Sequence, residues 1–569
     1  MDEAEKELLP EHRSPPLGYD PPELPSRSAL QRVIIAVAAS VALMLGVTIF
    51  SGASLSDCLM DHSTDQPAPD TYDRIHASKV FFNIPSPEHL QKHLKYYTSG
   101  THFGGRDTKA AEYTRAFFEN CGIKTQVVQY YPWLGFPGHH HVTVFNATTE
   151  HVLFKAKMTE DEITSDPATQ YRSNLPAFHA YSGSGNVSGA LVYANYGEVG
   201  DYRALDAAGI SVEGKVVLVR YGEIARGIKV QLAEQHGARG VLIYSDPSDD
   251  GYGKGKVYPD GPWRPATSIE RGSVALTQIY PGDPLTPGYA ATKNAPRINP
   301  KDAQNLNHIP SLPLSYQDAE PLLRTLAGHG KRANQLGDSW TGGLVSRGVE
   351  YWTGPSTLHV NMLNTVQHKQ VAIQNVIGTI TGTDEEDRAV IIGSHHDAWS
   401  AGATDPGSGA AALLEVARGL GELMKLGWKP RRTIILASWD ATEHGLVGAT
   451  EWVEANVDWM RHEVLAYLNV NSAVAGDRFT AAASPLLHDL LYQLARQIPM
   501  PHTNTSLYDA WNRQSTDSST PFIDTIGSGG SSDTAAFQLH AGVASLDMGF
   551  RGLAGTHNSN YDSAQWMQR

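Results

Sequence analysis

Short apolar runs follow one another along the second half of the chain, and longer segments with helical periodicity separate most of them. The strand-like runs lie at 371–380, 390–392, 433–437 and 464–470. A helical pattern occupies 410–423, between the second and third runs. Strands that alternate with helices predict an α/β fold with a mixed, mostly parallel sheet and helices on both faces. In such sheets, ligands bind at the carboxyl ends of the strands.

The middle of the chain has a different pattern. Between about 135 and 345, short runs rich in Val, Ile and Leu are separated by Gly and Asp, and only one helical segment, near 228–236, interrupts them. This pattern predicts a β-rich unit, and it contains no cluster of catalytic character. We therefore predict a unit at 135–345 that is inserted into an α/β domain formed by 76–134 and 346–569.

An uncharged apolar run of 18 residues, 33–50, lies near the N-terminus. At ~1.5 Å per residue, a helix over this run is ~27 Å long, which is enough to cross a bilayer core. A cleaved secretory signal is the alternative, but the preceding tail (1–32) and the run are both long for one. Arginines end the tail, whereas no Lys or Arg occurs from 51 to 73. The positive-inside rule therefore predicts a single-pass type II membrane protein with a stalk at 51–75 and a lumenal or extracellular bulk.

Composition adds three constraints. Glycosylation sequons at Asn146, Asn186 and Asn504 all follow the predicted span, so they lie on its lumenal side. The net charge is −15 without a dense Lys/Arg block, which argues against nucleic acid as a partner. Two cysteines are too few for a disulfide framework. Cys58 either pairs with its copy in a second chain or is a free thiol of the stalk.

A histidine and several carboxylates follow the predicted strands. His395 and Asp397 come directly after one strand, Asp405 lies shortly beyond them, and Glu443 comes after the next strand. Imidazole and carboxylates are ligands of zinc in proteins, and one carboxylate can bridge two ions. We therefore expect these side chains to form a metal site at the ligand-binding edge of the sheet.

The segments around these residues resemble the glutamate carboxypeptidase and transferrin receptor group of co-catalytic zinc exopeptidases. The similar segments are the His395–Trp399 block, Asn375-Val-Ile-Gly-Thr-Ile-Thr-Gly, Asp405-Pro-Gly-Ser-Gly-Ala-Ala and Gly427-Trp-Lys-Pro-Arg-Arg-Thr-Ile-Ile-Leu-Ala-Ser-Trp-Asp. Within the insert, Gly282-Asp-Pro-Leu-Thr-Pro-Gly-Tyr is similar to a marker of the family's protease-associated domain. The resemblance covers roughly 76–569 and implies a zinc-exopeptidase fold with that domain at 135–345.

The resemblance implies a role for each residue of the site. In the family, a His and an Asp hold one zinc ion, a Glu and a second His hold the other, and a further Asp bridges both. His395 matches the first His, Asp405 the bridging Asp and Glu443 the Glu ligand. Asp397 matches the residue that orients the imidazole of His395. One or two zinc ions are therefore the implied cofactor.

Three positions depart from the family pattern. Thr442 stands where the water-activating Glu belongs, and a threonine cannot accept a proton near neutral pH. Asn471 stands in place of the Asp ligand, and Asn558 in place of the second His. The adjacent His557 is an alternative ligand, although a shift of one residue ordinarily points the side chain elsewhere. Together these departures predict weak or absent peptidase activity.

The resemblance also implies a structural calcium site between the insert and the peptidase domain. Its ligands would be backbone oxygens of Thr286 and Tyr289 and the carboxylates of Glu451 and Glu454, all hard oxygen donors. The alternative is that the two glutamates form a solvated helix face.

The arginines that select acidic substrates in the family are matched here by Glu198, Asp547 and Gly549. A negative charge at such a position repels a substrate carboxylate, so acidic peptides are disfavoured.

These observations predict a membrane glycoprotein of the plasma membrane, endosome or vacuole that binds a peptide or protein ligand or acts in trafficking. An active zinc-dependent carboxy- or aminopeptidase for non-acidic peptides is the alternative. The sequence ends where the family's helical dimerisation domain would begin, so that domain is expected to be absent and a homodimer stays open.

Overall fold

The computed structural model describes residues 77–568, except 175, 501–502, 515–519, 527–531 and 553–554. The predicted tail, membrane span and stalk lie outside the described residues, as does Cys58. Within the described part of the chain, no helix is both long and apolar enough to span a membrane.

The strands and helices are numbered in chain order over the described residues. The strands are β1 (Lys124–Tyr130), β2 (Trp133–Phe145), β3 (Val152–Lys155), β4 (His179–Ala180), β5 (Gly185–Tyr193), β6 (Val216–Arg220), β7 (Gly240–Tyr244), β8 (Gly272–Ser273), β9 (Ser311–Leu314), β10 (His359–Gln370), β11 (Ile373–Ile380), β12 (Glu385–His395), β13 (Arg432–Trp439), β14 (Val464–Asn469), β15 (Arg478–Ala483) and β16 (Ser545–Arg551). The α-helices are α1 (Pro87–Tyr97), α2 (Lys109–Asn120), α3 (Val199–Ala207), α4 (Arg226–Gln235), α5 (Tyr316–Arg324), α6 (Ser408–Lys425), α7 (Thr442–Gly445), α8 (Val447–Glu463), α9 (His488–Ala495), α10 (Leu507–Asn512) and α11 (Ala564–Met567).

The peptidase domain is built on a seven-stranded sheet in the order β1-β11-β13-β12-β14-β16-β15. The pairings β13/β12, β12/β14 and β14/β16 are parallel. The pairings β1/β11, β11/β13 and β15/β16 are antiparallel. The predicted mixed α/β sheet is therefore confirmed, and its parallel strands form the centre, where the site lies.

Burial explains why the central strands read as continuous apolar runs. All eight residues of β13 are buried, because helices cover both faces of the sheet. On one face, α1, α2 and α6 enclose a core that includes Phe118 and Leu414. On the other face, Trp439 packs against Trp452 of α8, with ring centroids 5.4 Å apart. The sheet is thus rigid where it supports the loops of the site.

A second seven-stranded sheet, in the order β3-β2-β10-β5-β6-β7-β9, forms the inserted unit. Its pairings from β5 to β9 are parallel, and helices α3, α4 and α5 connect or follow these strands. The unit is therefore α/β in its parallel half rather than purely β-rich. Strand β2, which begins at residue 133, pairs antiparallel with strand β10, which ends at residue 370. This sheet therefore includes residues on both sides of 135–345. The predicted domain boundaries stay predictions.

Candidate metal centre

Three neighbouring strands deliver the predicted site residues to one edge of the central sheet. His395 ends β12, the loop with Thr442 and Glu443 follows β13, and Asn471 follows β14. Because β13, β12 and β14 are adjacent and parallel, their carboxyl ends meet at the same edge. The expected placement of these residues is therefore observed.

His395 is held between two carboxylates. Its Nδ1 lies 2.9 Å from the backbone oxygen of Asp397 and 3.3 Å from Oδ1 of the same residue. Its Nε2 lies 3.0 Å from Oδ1 of Asp405. Burial alone lowers the pKa of His395, but the hydrogen bonds to both aspartates outweigh it and raise the pKa well above its usual value. A metal ion bound at Nε2 would take the place of a proton on that nitrogen.

Asp397 also anchors the neighbouring loop. Its two carboxylate oxygens accept hydrogen bonds from the backbone N–H groups of Thr442 (2.9 Å) and Glu443 (3.1 Å). The Asp397 carboxylate thus caps the first turn of α7, and Asp397 also orients the imidazole of His395. Burial and the negative charge of Asp405 raise the pKa of Glu443 to about 8.

The structure brings His557, rather than Asn558, to the bridging carboxylate. Nε2 of His557 lies 3.3 Å from Oδ2 of Asp405, so an imidazole flanks each side of that aspartate. Asn558 has φ of +56°, a left-handed conformation that Asn tolerates better than most residues. The contact of His557 with Asp405 thus differs from the expectation that a shift of one residue points this side chain elsewhere.

Asn558 contacts different partners at the same site. In the amide orientation that lets the nitrogen donate and the oxygen accept, the nitrogen of Asn558 lies 3.2 Å from Oε1 of Glu443. Its oxygen lies 3.1 Å from Nη2 of Arg226. Arg226 belongs to α4 of the inserted unit, and its guanidinium also pairs with Glu270 at 3.4 Å. Sequence reasoning missed Arg226, because nothing in its segment marks it as reaching another domain.

A second residue that sequence reasoning missed, Asp533, links two of the departing positions. Oγ1 of Thr442 donates to Oδ1 of Asp533 at 2.9 Å, and Nδ2 of Asn471 donates to Oδ2 at 3.0 Å. Asp533 is fully buried, and burial raises its pKa to about 6. Thr442 and Asn471 are thus held by one internal carboxylate.

The donor chemistry fits a divalent ion. Across the described residues, no group of three or more His, Cys, Asp or Glu side chains is arranged to hold a metal ion. Two imidazoles nevertheless flank Asp405, and Glu443 is close enough for its pKa to respond to that aspartate. Oδ1 of Asn471 is buried and has no hydrogen-bond partner, as expected of an oxygen that faces a cation. His395, Asp405, Glu443, Asn471 and His557 are therefore the residues that would hold zinc.

A second acidic cluster lies where the inserted unit meets α8. Glu451 is fully buried, and its Oε1 accepts from the backbone N–H of Asp283 at 2.8 Å. Buried oxygens of Glu454 and Asp283 have no hydrogen-bond partner. Burial is the main cause that raises the pKa of all three carboxyl groups, that of Glu454 to about 8. A solvated face for Glu451 is thus excluded.

The segment with Thr286 and Tyr289 adjoins this cluster. Asp283 was not among the calcium ligands predicted from the sequence. The buried hydroxyl of Thr286 lies close enough to Asp283 to lower the pKa of that carboxyl group. The backbone N–H of Tyr289 donates to the carbonyl of Thr286 at 3.2 Å. Oxygen donors of this kind suit calcium, which stays a prediction.

The three sequon asparagines lie in the described part of the chain. Asn186 and Asn504 are exposed, and Asn146 is half-buried at the end of β2. Their glycosylation stays a prediction.

Comparisons with known proteins agree with this architecture. Residues 375–568 match peptidase family M28, and residues 187–276 match the PA domain. A probable glutamate carboxypeptidase of Arthroderma benhamiae is 38% identical over 487 residues, covering 83% of this chain and 65% of the relative. Vacuolar protein sorting-associated protein 70 of Saccharomyces cerevisiae is 34% identical over 559 residues, covering 95% of this chain and 66% of the relative. The chain thus spans less than two thirds of the length of these relatives.

A solved structure has the same fold. The peptidase M28 precursor from Shewanella amazonensis superimposes with a TM-score of 0.52 at 15% identity, covering 88% of this chain and 94% of that one. A mixed α/β domain with a metal-type site at the strand ends and an inserted PA domain defines a metallopeptidase scaffold. The chain belongs to the glutamate carboxypeptidase-like group of peptidase family M28.

Proposed function

We propose that this protein has kept the zinc-exopeptidase scaffold, that its peptidase activity is weak or lost, and that it acts by binding a peptide or protein. The observation that carries the proposal is the hydrogen bond from Thr442 to Asp533. Thr442 stands at the position of the family's water-activating Glu. It has no basic group, and its hydroxyl already donates a hydrogen bond to a buried carboxylate. Loss of a general base typically costs about 10²–10⁴-fold in rate.

Neither Asp440 nor His444 offers a replacement base. Both carboxylate oxygens of Asp440 accept backbone hydrogen bonds, from Gly105 at 3.2 Å and from Gln374 at 2.9 Å. His444 is buried, and its Nε2 lies 3.1 Å from the carbonyl of Gly135. Burial lowers the pKa of His444 to about 4. These side chains support the loop instead of facing the centre.

A working exopeptidase for non-acidic peptides is the second candidate. The position of His557 beside Asp405 favours it, because that imidazole supplies the nitrogen ligand that Asn558 lacks. Zinc, when bound, would polarise a peptide carbonyl and lower the pKa of a bound water. Under this alternative, Arg226 and Asn558 would line the pocket next to Glu443.

Location and partners belong to the same proposal. The name of the yeast relative, a vacuolar protein sorting-associated protein, supports an endomembrane or vacuolar location. A type II anchor at 33–50, glycans at the three sequons and a calcium ion at Glu451 and Glu454 complete the proposed molecule. A lumenal peptide or protein is the proposed ligand.

The experiment is a test of restored hydrolysis. Zinc-loaded protein with Thr442→Glu is compared with wild type and with Thr442→Gln, which matches the size of Glu but carries no base. The proposal expects dipeptide hydrolysis to rise about 10²–10⁴-fold in kcat/KM for Thr442→Glu over Thr442→Gln. Efficient, chelator-sensitive hydrolysis by wild type that Thr442→Glu does not increase would favour the second candidate.

A further inference from the structure

The carboxylate of Asp533 fixes the direction of the Asn471 amide. An ionised carboxylate only accepts hydrogen bonds, so the group of Asn471 that faces Oδ2 of Asp533 must be the NH₂. The other carboxylate oxygen is held by the hydroxyl of Thr442, which prevents Asp533 from rotating freely. The amide oxygen Oδ1 of Asn471 therefore points away from Asp533.

The backbone places Asn471 beside the centre. The N–H of Val470 donates to the carbonyl of Gly393 at 3.0 Å, two residues before His395. A Cβ on Gly409 would lie 2.2 Å from the backbone oxygen of Asn471, so the start of α6, just beyond Asp405, packs directly on this residue. Asn471 is thus enclosed between the two segments that carry the metal-type ligands. Its Oδ1 is buried there without a hydrogen-bond partner.

We propose that Asp533 is a positioning residue that presents Oδ1 of Asn471 to a divalent cation bound at His395 and Asp405. The negative charge that a ligand Asp would carry at 471 is held instead by Asp533, behind a neutral amide. His395 is close enough to Asp533 for its positive charge to act on that carboxylate. This proposal shares with the proposed function only the metal centre at His395 and Asp405, because it concerns metal binding and not hydrolysis.

The test measures zinc affinity by competition with a fluorescent chelator on metal-stripped protein. In Asp533→Asn, the new amide can donate or accept, so it no longer dictates the direction of Asn471. Loss of such an outer hydrogen-bond partner typically weakens metal binding by about 10- to 100-fold, and we expect that loss here. Asn471→Asp combined with Asp533→Asn returns the carboxylate to the ligand position, and we expect it to recover at least the wild-type affinity.

Asp318→Asn is the matched control, because Asp318 is a buried carboxylate that accepts two backbone hydrogen bonds, both from residues 157 and 158 of the inserted unit. Its zinc affinity should equal that of wild type. If Asp533→Asn does not fold, Asn471→Leu removes the same oxygen and should show the same loss. Unchanged affinity in Asp533→Asn or Asn471→Leu, a double variant that stays as weak as Asp533→Asn, or a wild type that binds no zinc would overturn the proposal. Peptide hydrolysis by wild type bears only on the proposed function.

Discussion

At the scale of single residues, the carboxyl groups of Glu451 and Asp283, which are buried, and of Glu454, which is half-buried, lie together, and each has a raised pKa. A bound Ca²⁺ would offset the electrostatic repulsion among these three carboxyl groups when they are ionised. It would also coordinate those of their oxygens that have no hydrogen-bond partner. We expect Ca²⁺ at about 100 times its dissociation constant to stabilise the wild type by about 2.7 kcal/mol, seen as a higher Tm.

Glu454→Gln should abolish that calcium-dependent rise, whereas Asp458→Asn, an exposed change on the same helix, should keep it. An equal rise in Glu454→Gln, or none in the wild type, would contradict a calcium site. Differential scanning calorimetry with and without Ca²⁺ makes the comparison.

The sequence predicted the placement of His395, Asp397, Asp405 and Glu443, because each follows an apolar strand. It did not predict Asp533, since an isolated aspartate in a distant loop has no local signal. The contact of His557 with Asp405 was also beyond sequence reasoning, because it joins residues 152 positions apart in the chain. Side chains that act through tertiary contacts are the ones that were missed.

At the scale of elements, Glu415 of α6 attaches the helix α1 to the core. Its carboxylate accepts from the backbone N–H of Ser86 at 2.9 Å and from Nε of Arg418 at 2.8 Å. Burial opposes ionisation, but the hydrogen bonds from Arg418 and the nearby His93, 3.8 Å away, outweigh it and lower the pKa of Glu415 to about 2. Stability from this carboxylate is therefore present above pH 4.5 and is lost as the pH falls towards 2.

Glu415→Gln should therefore lower the free energy of unfolding by about 1.5–3 kcal/mol near pH 7, as expected for hydrogen bonds to a charged group. The difference in Tm from wild type should narrow as the pH falls below 4.5. Glu422→Gln, an exposed change on the same helix, is the control and should have little effect. A difference that stays constant from pH 7 to pH 3 would show that Glu415 does not act through its charge.

Four of the seven strands of the peptidase-domain sheet could be predicted, because the buried central strands are continuously apolar; β1, β15 and β16 were not predicted. The predicted run 433–437, for example, lies within the observed Arg432–Trp439. The antiparallel direction of the outer strands could not be predicted from the sequence, since apolar periodicity carries no information on strand direction. The helices of the inserted unit were under-predicted for a similar reason: α3 and α5 are short and follow strands closely.

At the scale of the whole molecule, the inserted unit takes part in building the metal centre. Nη2 of Arg264 donates to the carbonyl of His557 at 3.1 Å, and the backbone N–H of Arg271 donates to the carbonyl of Asn558 at 3.1 Å. Arg271 is itself paired with the buried Glu160 at 2.8 Å. The loop that presents His557 to Asp405 is thus held by the other domain.

We propose that peptide hydrolysis by this M28 scaffold is weak or lost. The most direct measurement is the zinc content of the purified protein together with chelator-sensitive dipeptide hydrolysis, compared with His395→Ala as the blank. We expect wild-type turnover to stay at or close to the blank, even when zinc is bound. Two zinc ions per chain, with turnover that the chelator abolishes and His395→Ala lacks, would contradict it.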